Sequence, residues 1–133
     1  MTDAALIKAA EQAREMAYAP YSGFKVGAAL LTSGGKIYLG CNIENAAYGP
    51  SNCAERTAFF KAVSEGERDF TAIAVAGWAD EPGFAYQCGV CRQVMMEFCR
   101  PELFKIIVSG GACGHKVFTL RELLPWGFGP QSL

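Results

Sequence analysis

The sequence has few of the features that mark nucleic-acid-binding, membrane or secreted proteins. Its 133 residues include 12 Lys and Arg against 13 Asp and Glu, and no two Lys or Arg residues are adjacent. A groove that follows a phosphate backbone needs a basic stripe, so this composition argues against DNA or RNA as a partner. No apolar run approaches the roughly 20 residues that span a bilayer, and the N-terminus lacks the pattern of a signal peptide. We therefore expect no membrane partner and a cytoplasmic location.

Histidine is scarce as well, since His115 is the only one, whereas there are six cysteines. In a reducing compartment, cysteines are more often free thiols or metal ligands than disulfides. An even count is also compatible with a disulfide framework, so the spacing of the cysteines has to decide between the two.

The hydrophobic pattern predicts one α/β domain over residues 1–133. Helical periodicity predicts helices over residues 3–18, 53–63 and 88–98, and one helical turn over 120–124. Short apolar runs predict strands over residues 25–31, 36–41, 71–76, 105–109 and 116–119, of which the first two form a hairpin. Strands that alternate with helices after an initial hairpin are typical of a mixed sheet covered on both faces.

Three cysteines follow the spacing of a metal site. Cys88 and Cys91 lie at positions i and i+3 at the start of a predicted helix, where one metal can reach both. Cys53 begins another predicted helix. If the two helices start side by side at one edge of the sheet, the three sulfurs converge. Thiolates favour zinc, and three protein ligands leave a fourth position open, as in catalytic sites.

Charged residues accompany these cysteines on the same helices. Arg56 and Arg92 follow Cys53 and Cys88 by three and four residues, so each guanidinium is predicted to reach a ligand sulfur and draw charge from it. Glu55 and Cys53 can face the same metal only if Cys53 lies at the helix entry, where the helical repeat does not yet fix the direction of the Cys53 side chain. A carboxylate at that place could move protons during hydrolysis.

Other interpretations of the cysteines stay open at this point. The Cys-x-x-Cys pair could be a redox pair, or part of a structural zinc module that binds a protein partner. A structural site would need four ligands, and Cys41 could supply the fourth. Apart from that alternative for Cys41, we expect Cys41, Cys99 and Cys113 to be structural and His115 to lie at the surface.

Longer segments of the chain resemble the small homotetrameric cytidine deaminases. The matching segments are residues 20–30 (PYSGFKVGAAL), 42–49 (NIENAAYG), 53–58 (CAERTA) and 88–93 (CGVCRQ), with Leu123-Leu124-Pro125 and Phe128 near the end. The resemblance implies a three-layer α/β/α fold with a five-stranded mixed sheet and Zn²⁺ as cofactor. It also implies hydrolytic deamination of cytidine and deoxycytidine. In that reaction Glu55 takes a proton from the attacking water and carries protons to the ring nitrogen and the departing amine.

The resemblance also assigns substrate-binding roles. The residues matching Asn42 and Glu44 hold the ribose hydroxyls, the backbone at Ala54 helps to fix the base, and Phe24 lines the base pocket. Residues matching Tyr48 and Phe128 reach the active site of a neighbouring subunit. The expected assembly is therefore a homotetramer in which the subunits share their active sites.

The residues themselves support these roles only in part. In an extended segment Asn42 and Glu44 share one side, and an amide with a carboxylate can bind a sugar hydroxyl. Asn42 and Asn45 could instead merely shape a turn. Without the resemblance, Phe24 and Phe128 would be taken as core residues and Tyr48 as a loop anchor.

One departure from the family pattern lies directly before Cys88. The family usually has Ser-Pro there, on the side of the leaving amino group, and this chain has Tyr86-Gln87. Loss of proline frees a backbone dihedral, and tyrosine adds an amphipathic wall. We therefore expect a reshaped pocket that tolerates larger N4 substituents. A deaminase of a modified nucleoside or of an antibiotic such as blasticidin S is the alternative within the same fold.

Overall fold

A computed structural model describes residues 1–133, which form five strands and four helices. The strands are β1 (Lys25–Thr32), β2 (Ile37–Cys41), β3 (Phe70–Trp78), β4 (Lys105–Ser109) and β5 (His115–Thr119). The helices are α1 (Asp3–Arg14), α2 (Ala54–Ser64), α3 (Gly89–Phe98) and α4 (Leu120–Leu123). Two short 3-10 helices, Gly111–Cys113 and Pro130–Ser132, lie in the later part of the chain. None of the helices combines the length and the apolarity of a membrane span.

The strands form one mixed sheet in the order β2-β1-β3-β4-β5. β1 pairs antiparallel with both β2 and β3, β3 pairs parallel with β4, and β4 pairs antiparallel with β5. The predicted hairpin and the mixed sheet are therefore confirmed. The single parallel pair, β3 with β4, is the one whose connection runs through α3, as a parallel crossover requires.

Helices cover both faces of the sheet and give the predicted three layers. On one face, Leu6 and Ala10 of α1 pack in a buried cluster with Ala29, Ala74 and other small residues of the sheet. On the other face, α2 and α3 enclose a larger core. Its aromatic centre is Phe59 of α2, whose ring lies 5.1 Å from Phe70 and 6.1 Å from Phe104.

Two glycines allow the helices to lie directly on the sheet. A Cβ at Gly27 would come within 2.1 Å of Ala10 O in α1, and a Cβ at Gly40 within 2.3 Å of Ala54 O in α2. Neither distance is possible for a real side chain. The contact at Gly40 fixes the start of α2, which is where Cys53 lies.

The first helix ends earlier than its periodicity predicts. The periodicity predicts a helix over residues 3–18, whereas α1 ends at Arg14. Tertiary contacts compete with the helix there: Tyr18 N donates to Asn42 O, and Glu44 N donates to Tyr18 O. The chain thus leaves the helix to form a bridge beside Ile43. The helical pattern of the sequence carries no sign of this distant pairing.

Candidate functional site

The three cysteines singled out by their spacing converge at the starts of α2 and α3. Cys53 and Cys88 are the N-cap residues of these helices, and Cys91 lies in the first turn of α3. Cys53 Sγ lies 3.8 Å from Cys88 Sγ, and Cys88 Sγ lies 3.4 Å from Cys91 Sγ. All three sulfurs lie within 4.8 Å of one another. The condition that Cys53 stand at the helix entry is met.

These sulfur distances fit a zinc ion. With Zn–S bonds of about 2.3 Å, tetrahedral coordination separates two ligand sulfurs by about 3.8 Å. Three soft donors from rigid helix starts are the donor set that zinc prefers. Cys41, considered as a fourth ligand, is not part of the cluster.

Hydrogen bonds within the cluster favour an ionised sulfur. A hydrogen bond from the Cys91 thiol, assisted by the Arg56 guanidinium, lowers the pKa of Cys53 to about 5. The same sulfur–sulfur contact, together with burial, raises the pKa of Cys91. Arg56 Nη2 donates to Cys53 Sγ at 3.2 Å. The cluster therefore already holds one thiolate beside a fixed positive charge.

The Arg92 guanidinium does not donate to a cysteine sulfur, although the sequence spacing predicts that it does. Its Nη1 donates to Leu123 O at 2.7 Å. The predicted contact of Arg92 with a cysteine is therefore wrong in this structure. The carbonyl at the end of α4 is a partner that the sequence could not reveal, because α3 and α4 meet only in the folded chain.

Glu55 lies in the first turn of α2, directly beside the sulfur cluster. Only 5% of its surface is exposed. Burial, with a smaller contribution from the Cys53 sulfur, raises the pKa of its carboxyl group from 4.5 to about 7. A group with this pKa holds and releases a proton close to neutral pH, as a general acid–base catalyst must.

A cavity of about 340 Å³ opens in front of the sulfurs and the carboxylate. Its lining includes these predicted residues: Phe24, Asn42, Glu44, Cys53, Ala54, Glu55, Tyr86 and Cys88. The structure thus brings together in one pocket residues as distant in the sequence as Phe24 and Cys88. The volume suits a small molecule.

The polar side chains at one end of this cavity are held by local hydrogen bonds. Asn42 Oδ1 accepts from Val26 N and Nδ2 donates to Phe24 O, both at 2.8 Å. Glu44 accepts from Tyr21 N at 3.0 Å and from Ser22 N at 3.1 Å, and also from the Ser22 hydroxyl. The hydrogen bond from the Ser22 hydroxyl lowers the pKa of Glu44, so the group is a fixed carboxylate.

Of the residues predicted to contact the substrate or its leaving group, Tyr48, Phe128 and Gln87 do not line the cavity of their own chain. Tyr48 is 86% and Phe128 59% exposed, so neither belongs to the core. Gln87 is buried, and neither oxygen nor nitrogen of its amide has a hydrogen-bond partner in the protein. Its neighbours Tyr86 and Cys88 line the cavity, whereas Gln87 does not.

The structure also shows two residues that support the cavity wall and that the sequence patterns did not predict. Ser22 anchors Glu44, and Lys116 Nζ donates to the Tyr86 hydroxyl at 3.0 Å. Ser22 stands in a Tyr-Ser-Gly turn inside a recognised segment, so its hydroxyl was a usable signal. The sequence contains no comparable signal for Lys116, because 30 residues separate it from Tyr86. Outside the cluster, Cys41 is partly buried, Cys99 is buried and Cys113 is exposed. His115 is exposed, as expected for a surface residue.

Fold and site together define an α/β protein with a three-cysteine metal site beside a buried carboxylate. Residues 1–107 match the family model described as the cytidine and deoxycytidylate deaminase zinc-binding region. A cytidine deaminase of Sporosarcina psychrophila is 51% identical over 128 residues, which cover 96% of this chain and 92% of that protein. A probable cytidine deaminase of Dictyostelium discoideum is 52% identical over 127 residues, covering 96% of this chain and 84% of that protein.

Solved structures give the same result. The crystal structure of a cytidine deaminase from Burkholderia pseudomallei is 51% identical, has a TM-score of 0.89 and covers 96% of this chain and all of that one. The crystal structure of a cytidine deaminase from Mycobacterium tuberculosis is 34% identical, with a TM-score of 0.80, and covers 97% of this chain and 99% of that one. The chain therefore belongs to the cytidine and deoxycytidylate deaminase family with this zinc-binding region.

Family membership confirms the predicted fold and the predicted class of a zinc-dependent deaminase. It does not favour the antibiotic-deaminase alternative. Zinc is the cofactor of this family, and Cys53, Cys88 and Cys91 are the residues that could hold it here.

Proposed function

We propose that this chain catalyses the hydrolytic deamination of cytidine and deoxycytidine to uridine and deoxyuridine. The observation that carries the proposal is the cavity in which a three-sulfur metal site, a buried carboxylate and an aromatic and polar wall face one another. Cys53, Cys88 and Cys91 would hold the zinc ion, which supplies a Lewis acid that activates water at neutral pH.

Glu55 is the residue we assign to proton transfer. It lies at the cavity, is almost fully buried, and has a pKa raised to about 7 by that burial. As a carboxylate it can accept a proton from the attacking water. As a carboxylic acid it can then protonate the pyrimidine ring nitrogen and the departing amine. One group thus serves both as base and as acid.

The opposite end of the cavity is suited to the nucleoside. The Phe24 ring offers an apolar face for the base, and the backbone at Ala54 lies at the cavity floor. Glu44 is held as a carboxylate by Ser22 and can accept a sugar hydroxyl through its remaining lone pairs. Asn42 uses one amide proton and one lone pair for the backbone, which leaves one of each for the sugar.

The test is an ultraviolet assay of cytidine and deoxycytidine with zinc-loaded protein. Glu55→Gln is the matched blank, because it keeps the shape of the side chain and removes its acid–base function. We expect turnover by the wild type and a loss of at least about a hundredfold in the variant, as for other positioned acid–base groups. Equal inertness of the two proteins on both nucleosides would reject the proposal.

We further propose that the pocket tolerates substituents on N4 of the cytosine. Tyr86 and Gln87 replace the usual Ser-Pro, and the half-exposed Tyr86 ring forms one wall of the cavity. N4-methylcytidine and N4-acetylcytidine should therefore be converted to uridine. The double variant Tyr86→Ser with Gln87→Pro, which restores the usual pair, should lose this activity relative to its cytidine activity. Absence of any turnover of both compounds by the wild type would count against this extension.

We propose in addition that the active unit is a homotetramer in which Tyr48 and Phe128 complete the site of a neighbouring subunit. The exposure of both rings, outside the cavity of their own chain, supports this arrangement. Mixing Phe128→Ala chains with inactive Glu55→Gln chains should recover activity above that of either alone. The mixed assembly then contains sites with an intact Glu55 and a neighbour's Phe128. Mixed oligomers, verified by native mass spectrometry, that recover no activity would contradict shared sites.

A cytoplasmic role in pyrimidine salvage completes the proposal. None of the six cysteines is part of a disulfide, which suits a reducing compartment. A site built for a free nucleoside, on a chain whose basic residues are dispersed, also suits salvage of small molecules better than action on a nucleic acid.

A further inference from the structure

The wall of the cavity next to Cys88 continues into a cluster that the proposed reaction does not use. The Tyr86 ring lines the cavity and packs edge-on against the Phe118 ring of β5, with centroids 6.0 Å apart. Its hydroxyl accepts a hydrogen bond from Lys116 Nζ at 3.0 Å. Tyr86 is therefore held at both its ring and its hydroxyl, and its polar tip ends at an ammonium group.

The Lys116 ammonium group is held mainly by aromatic rings. It lies 4.5 Å from the centroid of the Phe84 ring and 5.8 Å from that of Tyr86. None of the four salt bridges of the chain includes it, although Asp80 and Glu81 lie in the same loop as Phe84. Ring faces orient a cation but do not neutralise it. A positive charge without a carboxylate partner thus stands one hydrogen bond beyond the cavity wall.

The loop that carries these aromatic residues is packed against the turn between β4 and β5. A Cβ at Gly110 would come within 2.8 Å of the Phe84 ring, and one at Gly111 within 2.9 Å of Pro82. Cys113 Sγ also contacts Pro82 O at 3.8 Å. These close contacts fix the position of the aromatic wall relative to the strand that carries Lys116.

We infer that Tyr86 and Lys116 form a subsite for cytidines whose N4 substituent ends in a carboxylate. The inference rests on the proposed function, and it names the class of N4-substituted substrate that the pocket would accept. A short substituent leaving the base on the Cys88 side would run along the Tyr86 ring and bring its carboxylate to the ammonium group. The resulting charge-assisted hydrogen bond is one of the stronger contacts that a protein can offer.

The reaction needs no further reagent. The oxygen of water bonds to C4 of the base, and the bond from C4 to N4 breaks. One proton of the water ends on the ring nitrogen, as in uridine, and the other ends on N4, which departs as an NH₂ group. The products are uridine and a primary amine or amide that carries the acid, and nothing is oxidised or reduced.

The experiment compares N4-succinylcytidine with its neutral match, in which the terminal carboxylate is a carboxamide. For each protein, kcat/KM on either compound is divided by kcat/KM on cytidine, so that a general loss of activity cancels. The wild type should prefer the acid by about tenfold, the order contributed by a hydrogen bond to a charged group. Added salt should reduce the preference. Lys116→Met should abolish it, and Lys116→Arg should retain most of it.

Several results would overturn the inference. Equal turnover of acid and amide by the wild type is one, and a preference that survives in Lys116→Met is another. Failure to hydrolyse either N4 compound, while cytidine is still deaminated, would also reject the subsite and leave the proposed function intact. Failure on cytidine itself would instead reject the proposed function.

Discussion

Arg56 and Arg92 follow the helix-initiating cysteines at nearly the same spacing, yet their guanidinium groups have different partners. Arg56 donates to Cys53 Sγ, whereas Arg92 donates to Leu123 O. A donor on a ligand sulfur draws charge from it and orients it toward the metal. A donor on a distant carbonyl instead fastens α3 to the end of α4. Two residues that look alike in the sequence therefore act on different properties of the protein.

Replacement of these arginines should separate the two effects. Arg56→Gln should weaken zinc binding by about 10- to 100-fold, the usual effect of losing a group that supports a metal ligand. Arg92→Gln should lower the melting temperature with a smaller effect on zinc affinity. Competition with a chromophoric chelator measures the first quantity and calorimetry the second. An equal loss of zinc affinity in both variants would contradict the difference seen in their contacts.

The buried Glu55 carboxyl group predicts a pH dependence of stability. Its pKa is about 7 in the folded chain against about 4.5 in the unfolded chain. Between these pH values the folded chain binds a proton that the unfolded chain does not, so stability falls as pH rises from 4.5 through 7. The difference amounts to at most about 3 kcal/mol.

Urea unfolding of chelator-treated protein at pH 5 and pH 8 tests this sign. The wild type should lose unfolding free energy relative to Glu55→Gln as the pH rises, because the amide does not ionise. Parallel pH profiles of the two proteins would show that Glu55 does not carry a raised pKa in the folded state.

At the scale of elements, the metal site depends on how closely α2 lies on the sheet. Gly40 of β2 faces the first turns of α2, where an added Cβ would come within 2.3 Å of Ala54 O and 2.6 Å of Ala58 N. Gly40→Ala must push the start of α2, and with it Cys53, away from the sheet. We expect a loss of about 1–3 kcal/mol or more in stability and weaker zinc binding, measured by denaturation and zinc content.

Two other glycines provide matched controls for this substitution. Gly27→Ala should push α1 off the other face of the sheet. It should therefore lower the unfolding free energy without a comparable loss of bound zinc. Gly49 has open space around its Cα, and Gly49→Ala should change neither property. Zinc binding that is unaffected by Gly40→Ala would show that the helix start is not what positions Cys53.

The comparison of elements with the sequence shows which physical signals are local. The starts of α2 and α3 follow from loops that lead into helical periodicity, and β4 follows from its apolar run; these were predicted closely. The end of α1 was not predicted correctly, because Tyr18 leaves the helical pattern and pairs with Ile43. The partner of Arg92 and the contact of Lys116 with Tyr86 were missed for the same reason. Each depends on segments that only the fold brings together.

At the scale of the whole molecule, one end of the sheet gathers everything that the chemistry needs. Phe24 before β1 and Tyr86 before α3 supply the aromatic wall, and the loop after β2 supplies the polar one. The starts of α2 and α3 supply the sulfurs and the carboxylate. These segments are separate in the sequence, and no single one defines the activity. The match of residues 1–107 to the family model spans all of them. The central claim is therefore that zinc at this junction makes the molecule a nucleoside deaminase.

Zinc titration of chelator-treated protein tests that claim most directly. Zinc content and the rate of cytidine deamination are measured in the same samples, for the wild type and for Cys91→Ala. In the wild type, we expect the rate to rise in proportion to bound zinc and to level off at about one ion per chain, the stoichiometry of a single catalytic site. Cys91→Ala should bind less zinc and stay nearly inactive. Full activity without zinc, or one bound zinc per chain with no deamination, would contradict the account.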